Sequence, residues 1–120
     1  MDTRYSTGPG DFKRYATAEI RREFLIQGAF SPGELRLTYS HVDRMISGGA
    51  MPAGKPIVLE GGKELSSAFF LERRELGTIN IGGPGLVKAD GKEYRLAQRD
   101  GLYLGRGTKE VSLESLDPAN

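Results

Sequence analysis

Polar and apolar positions alternate over much of the chain, and the alternation is short in range. Leu35, Leu37 and Tyr39 point one way while Arg36, Thr38 and Ser40 point the other, the period of a half-buried strand. Met45-Ile46 before Gly48-Gly49, Ile57-Val58-Leu59 before Gly61-Gly62, and Ser67-Ala68-Phe69-Phe70-Leu71 are brief apolar runs that each predict a strand, the first two closed by glycine turns. Gly85 to Ala89 and Lys92 to Leu96 flank Asp90-Gly91, so a hairpin with a two-residue loop is expected. Leu102-Tyr103-Leu104 and Glu110 to Leu116 add further strands, the last with Val111 and Leu113 opposite Ser112 and Glu114. Helix is predicted only over Thr17 to Phe24, with Thr17 as N-cap and Ile20 and Phe24 on one face. Residues 1–16 are polar, broken by Gly8-Pro9-Gly10, and read as a loosely held arm that orders against a neighbour. The pattern predicts an all-β sandwich or barrel with a short N-terminal helix.

Composition narrows what such a fold can do. Gly 17 and Pro 6 in 120 residues suit a chain of many turns, in one domain. Lys+Arg 17 against Asp+Glu 16 leaves a formal charge of +1, which gives no electrostatic reason to expect nucleic acid or an anionic membrane as partner. With Cys 0, disulfides, cysteine zinc sites and thiol catalysis are excluded, and a single histidine, His41, makes no imidazole metal site by itself. No apolar run approaches the roughly 18 residues of a membrane span. Asp2 and Arg4, with no apolar stretch behind them, do not begin a secretory signal, so a soluble, cytoplasmic protein is expected. Asp117-Pro118-Ala119-Asn120 has the composition of a linker.

Few residues offer chemistry. His41 with Asp43 two positions on could form a general base and its orienting carboxylate, although a hydrogen-bonded corner histidine is the plainer reading. Glu72-Arg73-Arg74-Glu75 could hold an acidic sugar through its guanidiniums, or pair across strands at a subunit contact, the reading preferred here. Gly82-Gly83-Pro84-Gly85 lacks the Lys-Ser/Thr and strand-to-helix context of a phosphate cradle and reads as turn chemistry. Tyr94 and Tyr103 read as packing residues.

Longer stretches carry a resemblance. Phe69-Phe-Leu-Glu-Arg-Arg-Glu-Leu-Gly-Thr-Ile-Asn-Ile-Gly-Gly83, Arg99-Asp-Gly-Leu-Tyr-Leu-Gly-Arg-Gly-Thr-Lys-Glu-Val111, Tyr39-Ser-His-Val-Asp-Arg-Met-Ile-Ser-Gly-Gly-Ala-Met-Pro52 and Arg21-Arg-Glu-Phe-Leu25 match one family in order. From about Arg21 to Leu116 the chain resembles the N-terminal half of the 5-keto-4-deoxyuronate isomerases, also called 4-deoxy-L-threo-5-hexosulose-uronate ketol-isomerases, of pectin breakdown. The resemblance implies a bicupin: an arm over 1–16, a degenerate cupin-like jelly roll over 17–120, and a second cupin half that this chain lacks. It further implies hexamers, zinc in that second half, and an intramolecular oxidoreduction of 5-keto-4-deoxyuronate to 2,5-diketo-3-deoxygluconate.

Laying the cupin ligand spacing over this chain with Gly83 as its closing glycine puts Phe69, Leu71 and Leu76 at the first three ligand positions and Glu110 at the last. One carboxylate among three apolar side chains cannot hold zinc, which takes three or four N, O or S donors. The expectation is therefore no catalytic residue, cofactor or metal in this chain. Its partners would be its own second half and other subunits, with Arg44, Arg73 or Arg74 as candidates for contact with the keto-uronate and His41 and Asp43 as further substrate or interface candidates. A free-standing, metal-free module holding a small sugar acid is the alternative, and an enzyme built on His41 and Asp43 is the weakest reading.

Overall fold

The computed structural model describes residues 1–119, so Asn120, the last residue of the expected linker, lies outside the described residues. Strands predominate, and helix is confined to two short segments, α1 at Pro9–Phe12 and α2 at Thr17–Phe24. The chain divides into two compact units, one of Met1–Ser31 with Leu35–Ala50 and one of Pro32–Glu34 with Met51–Asn120.

In the first unit, β1 (Asp2–Arg4), β2 (Leu35–Ser40) and β3 (Met45–Ala50) form a sheet in that order. β1 runs parallel to β2, pairing Asp2 with Thr38 and Arg4 with Ser40, and the His41 N–H continues the ladder to the Arg4 carbonyl at 2.9 Å. Residues 2–4 are thus ordered by their own chain, where the polar composition suggested a loose arm. Helix α2 starts one residue off its predicted cap: Ala16 is extended and its N–H donates to the Glu19 carboxylate at 2.8 Å, while Thr17 is already helical. The predicted apolar face of α2 is uncovered, Ile20 and Phe24 being 37% and 56% exposed.

Two strand readings change in this unit. Thr38, expected to face water, is buried; it lies on the central strand of the sheet, between Asp2 of β1 and Ser47 of β3. Gly48 and Gly49, read as the turn closing a strand, lie inside β3 and pair with Leu37 and Arg36. A Cβ at Gly48 would collide with the Arg36 carbonyl, so glycine here serves close approach and not a turn.

The second unit holds the buried hydrophobic core: Ile57, Leu59, Phe70, Leu71, Leu86, Val87, Ala89, Leu96, Leu104 and Val111. Its larger sheet is built from β4 (Ile57–Val58), β6 (Gly85–Ala89), β7 (Lys92–Leu96) and β9 (Val111–Ser115) in the order β4-β9-β6-β7, all neighbours antiparallel. A second sheet pairs β5 (Leu76–Ile79) with β8 (Gly101–Leu104). The expected hairpin is present, Ala89 opposite Lys92, with Asp90 and Gly91 at φ 47° and 80°. Both signs are what a type I′ turn requires. The Asp90 carboxylate also accepts the Lys109 and Glu110 N–H groups at 3.0 and 2.9 Å, tying the hairpin tip to the entrance of β9.

Ser67 to Leu71 is not a strand. Ser67 forms an isolated bridge to Gly62, and turns carry Phe70 and Leu71 into the core. A continuous apolar run has no alternating period to distinguish these conformations. Among the described residues no helix is long and apolar enough to cross a membrane.

Candidate functional site

His41, Asp43 and Arg44 sit on the turn between β2 and β3, all exposed. Asp43 and Arg44 adopt φ 54° and 52°, so the segment is a left-handed turn and not a continuing strand. This breaks the alternation that would have put His41 and Asp43 on one face, and among the described residues no hydrogen bond or ion pair joins them. The imidazole instead stacks on Tyr5 at 4.6 Å with an interplanar angle of 10°, and meets the edge of Tyr39 at 5.2 Å. The arrangement ties a corner of the first unit to its N-terminal strand.

Arg73 and Arg74 belong to the second unit, in a bend and the irregular stretch before β5 rather than on a strand, so the cross-strand pairing foreseen for them has no ladder to form on. Arg73 is exposed and Arg74 half-buried, and no ion pair joins either to a described residue. Their neighbouring carboxylates are engaged elsewhere. Glu72 accepts the Ala68 N–H at 2.8 Å. Glu75 accepts a hydrogen bond from the Tyr103 phenol, which is the main reason that the Tyr103 pKa lies above its ordinary value, with desolvation and the Glu75 charge adding to it.

A raised pKa acts on stability with a definite sign. Between the unfolded and the folded pKa the native phenol keeps a proton that the unfolded chain has lost, so this contribution is present below the ordinary tyrosine value and is lost as pH rises through the folded value. Glu75→Gln is expected to return the Tyr103 titration, read by phenolate absorbance, toward the ordinary value. A midpoint unmoved by that substitution contradicts the assignment.

The four positions of the cupin ligand spacing do not converge on a donor set. Leu71 is fully buried and its carbonyl accepts the Gly107 N–H at 2.8 Å. Leu76 is half-buried on β5, Phe69 is half-buried in the turn segment, and Glu110 is exposed just before β9. Across the larger sheet, Ile57, Leu113, Val87 and Tyr94 form one register row on the inner face, and Ala89 and Val111 form the next pair. That face is apolar over β4, β9 and β6, and at β7 it carries the Tyr94 ring with the Lys92 ammonium 5.0 Å from its centroid. Among the described residues no three His, Cys, Asp or Glu side chains gather where they could hold a metal.

Phe69 and Glu110 both line an open cleft of about 690 Å³ on the opposite face of that sheet, together with Val58, Lys88, Lys109 and Ser112. Lys88 lies 3.4 Å from Glu93 and 3.6 Å from Glu114. These are solvent-exposed pairs of small energetic weight, and the cleft has no dominant charge. Sequence reasoning found the Asp90 turn but not the carboxylate's long-range partners, for which no local signal exists.

No family model matches the chain. Curated relatives match it from end to end. A protein of Halalkalibacterium halodurans is 49% identical over 120 residues, covering 100% of this chain and 44% of the relative. Proteins of Shouchella clausii and Yersinia pseudotuberculosis are 51% and 48% identical, covering 98% and 100% of this chain and 43% and 44% of their own length. All three are named 4-deoxy-L-threo-5-hexosulose-uronate ketol-isomerase. The chain therefore matches the N-terminal half of these proteins and spans less than half of their length.

Proposed function

We propose that this chain, homologous to the N-terminal half of the uronate ketol-isomerases, is the scaffolding and non-catalytic half of such an enzyme, acting in the conversion of 5-keto-4-deoxyuronate to 2,5-diketo-3-deoxygluconate during pectin degradation. The observation that carries this reading is the match of 45–51% identity across the whole chain to proteins of that name. The insertion of β9 between β4 and β6, with β5-β8 as a separate sheet, supports a jelly roll of the cupin type, because a strand returning by a long connection beside an earlier one is Greek-key topology.

The apolar inner face supports the non-catalytic assignment. Moving a carbonyl along a sugar requires removing the proton alpha to it and stabilising the resulting enediolate. Ile57, Val87, Val111 and Leu113 supply neither a base nor an electrophile. Zinc does not fit Phe69, Leu71, Leu76 and Glu110, which present one carboxylate between them, so the metal belongs to the remaining half of the polypeptide.

The chain's own contribution is packing. Phe12, Phe24, Phe30, Val42 and Met45 of the first unit are between 48% and 61% exposed, and none of that unit's large hydrophobic side chains is buried among the described residues. These exposed apolar side chains are the ones assigned to contact with the second half and with other subunits of a cytoplasmic hexamer. Arg44, Arg73 and Arg74 are the side chains offered to an acidic substrate. Zinc content and keto-uronate isomerisation are to be compared between this chain and a polypeptide carrying both halves. Activity and stoichiometric zinc are expected only with both. Turnover by the 120-residue chain, or zinc held tightly by it, overturns the assignment.

A further inference from the structure

Among the described residues, the two-stranded sheet of β5 and β8 has no further strand at either outer edge, and the path of the chain says what completes the edge at β5. The Asn80 N–H donates to the Asp100 carbonyl at 2.9 Å, and β5 continues antiparallel to β8 with Thr78 opposite Leu102 and Leu76 opposite Leu104. In an antiparallel ladder alternate residues turn their backbone groups to opposite sides. Leu76 and Thr78 therefore face β8, and Gly77 and Ile79 direct their N–H and C=O groups to the outer edge of β5. Neither has another backbone partner among the described residues.

Nothing on β5 discourages pairing. Leu76-Gly77-Thr78-Ile79-Asn80-Ile81 contains no charge and no proline, the devices that proteins place on edges meant to stay open. The adjoining surface is apolar as well: Ile79 is 71%, Ile81 60% and Tyr103 63% exposed.

The path of the chain identifies the occupant. β9 ends beside the start of β6, with Ser115 opposite Gly85, and the Leu116 N–H donates to the Pro84 carbonyl at 2.9 Å. Pro84 is four residues beyond Asn80, which puts them at most about 14 Å apart. The intervening loop is held by the Asn80 side chain, which donates to the Gly83 carbonyl at 2.8 Å and accepts the Gly82 N–H at 3.2 Å. The chain leaving β9 thus emerges at the C-terminal end of β5, within a few residues' reach of its open edge.

We infer that the segment following residue 120 in the longer polypeptide adds to β5 as a third, antiparallel strand, running from Ile79 toward Leu76 and covering the Ile79 and Ile81 surface. The inference rests on reading the chain as the N-terminal half of a longer protein. Cooperative closure of this sheet then depends on residues beyond the 120, and the two halves are joined through a shared strand connection.

Amide hydrogen exchange tests it in the 120-residue chain and in the polypeptide carrying both halves. Gly77 and Ile79 amides are expected to exchange at least about tenfold more slowly in the longer polypeptide, whereas Thr78, already bonded to β8, changes less. Ile79→Lys is expected to leave the 120-residue chain as stable as before and to lower the thermal midpoint of the longer one. Unchanged exchange at Gly77 and Ile79 overturns the inference, as does protection that appears in the 120-residue chain as its own concentration rises, which would make a second copy the occupant. Isomerase activity reports separately on the functional reading. Protection without activity sinks that reading and leaves the strand in place, and activity without protection does the reverse.

Discussion

Leu71→Ala is expected to destabilise the second unit by about 2 to 5 kcal/mol, the range for removing a wholly buried leucine and leaving a cavity behind. Leu71 has no exposed surface, and Val111, at 2%, is the other side chain enclosed to that degree. The residue lies in a turn whose backbone is also engaged, its carbonyl accepting the Gly107 N–H. Relaxation into the cavity is therefore restricted, which favours the upper part of the range. Urea unfolding followed by far-ultraviolet circular dichroism gives the value, and Leu71→Met, which conserves volume, should cost less than about 1.5 kcal/mol. An alanine variant within about 0.5 kcal/mol of the parent would mean that Leu71 is not the keystone of this core.

Gly48→Ala is the second large effect, and its origin lies in backbone rather than side-chain space. The added Cβ meets the Arg36 carbonyl oxygen and comes within 2.9 Å of the Arg36 carbonyl carbon and 3.0 Å of the Leu37 Cα. These are main-chain atoms of the paired strand and cannot rotate aside. The cost is expected at about 1 to 3 kcal/mol or more, the range for overpacking a closely fitted site. It should appear as loss of amide protection along β2 and β3. Gly10→Ala is the control, since a Cβ there has nothing within 4 Å and sits in α1, where alanine is the better helix former. Equal effects at the two positions would show that close approach is not the reason for glycine at 48.

These two positions also mark the reach of sequence reasoning. The Asp90-Gly91 hairpin was legible because its determinants are local: two successive residues with positive φ between alternating runs. Helix α2 was legible for the same reason, to within the residue that caps it. Gly48-Gly49 carried the same turn signal and was misread, because what demands glycine is non-local: the main chain of residues 36 and 37 at Gly48, and the Phe30 ring and Ala29 carbonyl at Gly49. Phe70 and Leu71 were correctly apolar and wrongly extended. The pairing of His41 with Asp43 failed on the left-handed conformation of residues 43 and 44, which places a turn where a strand would have aligned them.

For the candidate site, the residue types alone bound what the chain can offer: with one histidine and no cysteine, no shift of alignment creates an imidazole cluster. Kinship to the uronate ketol-isomerases was likewise readable in consecutive residues, because identity is a property of the string. Where each apolar run goes, which face of the larger sheet is inward, and which edge of β5 stays open were decided by tertiary structure. Those outcomes depend on which distant strand arrives as neighbour, and the energy of that choice resides in contacts between segments that no local pattern encodes.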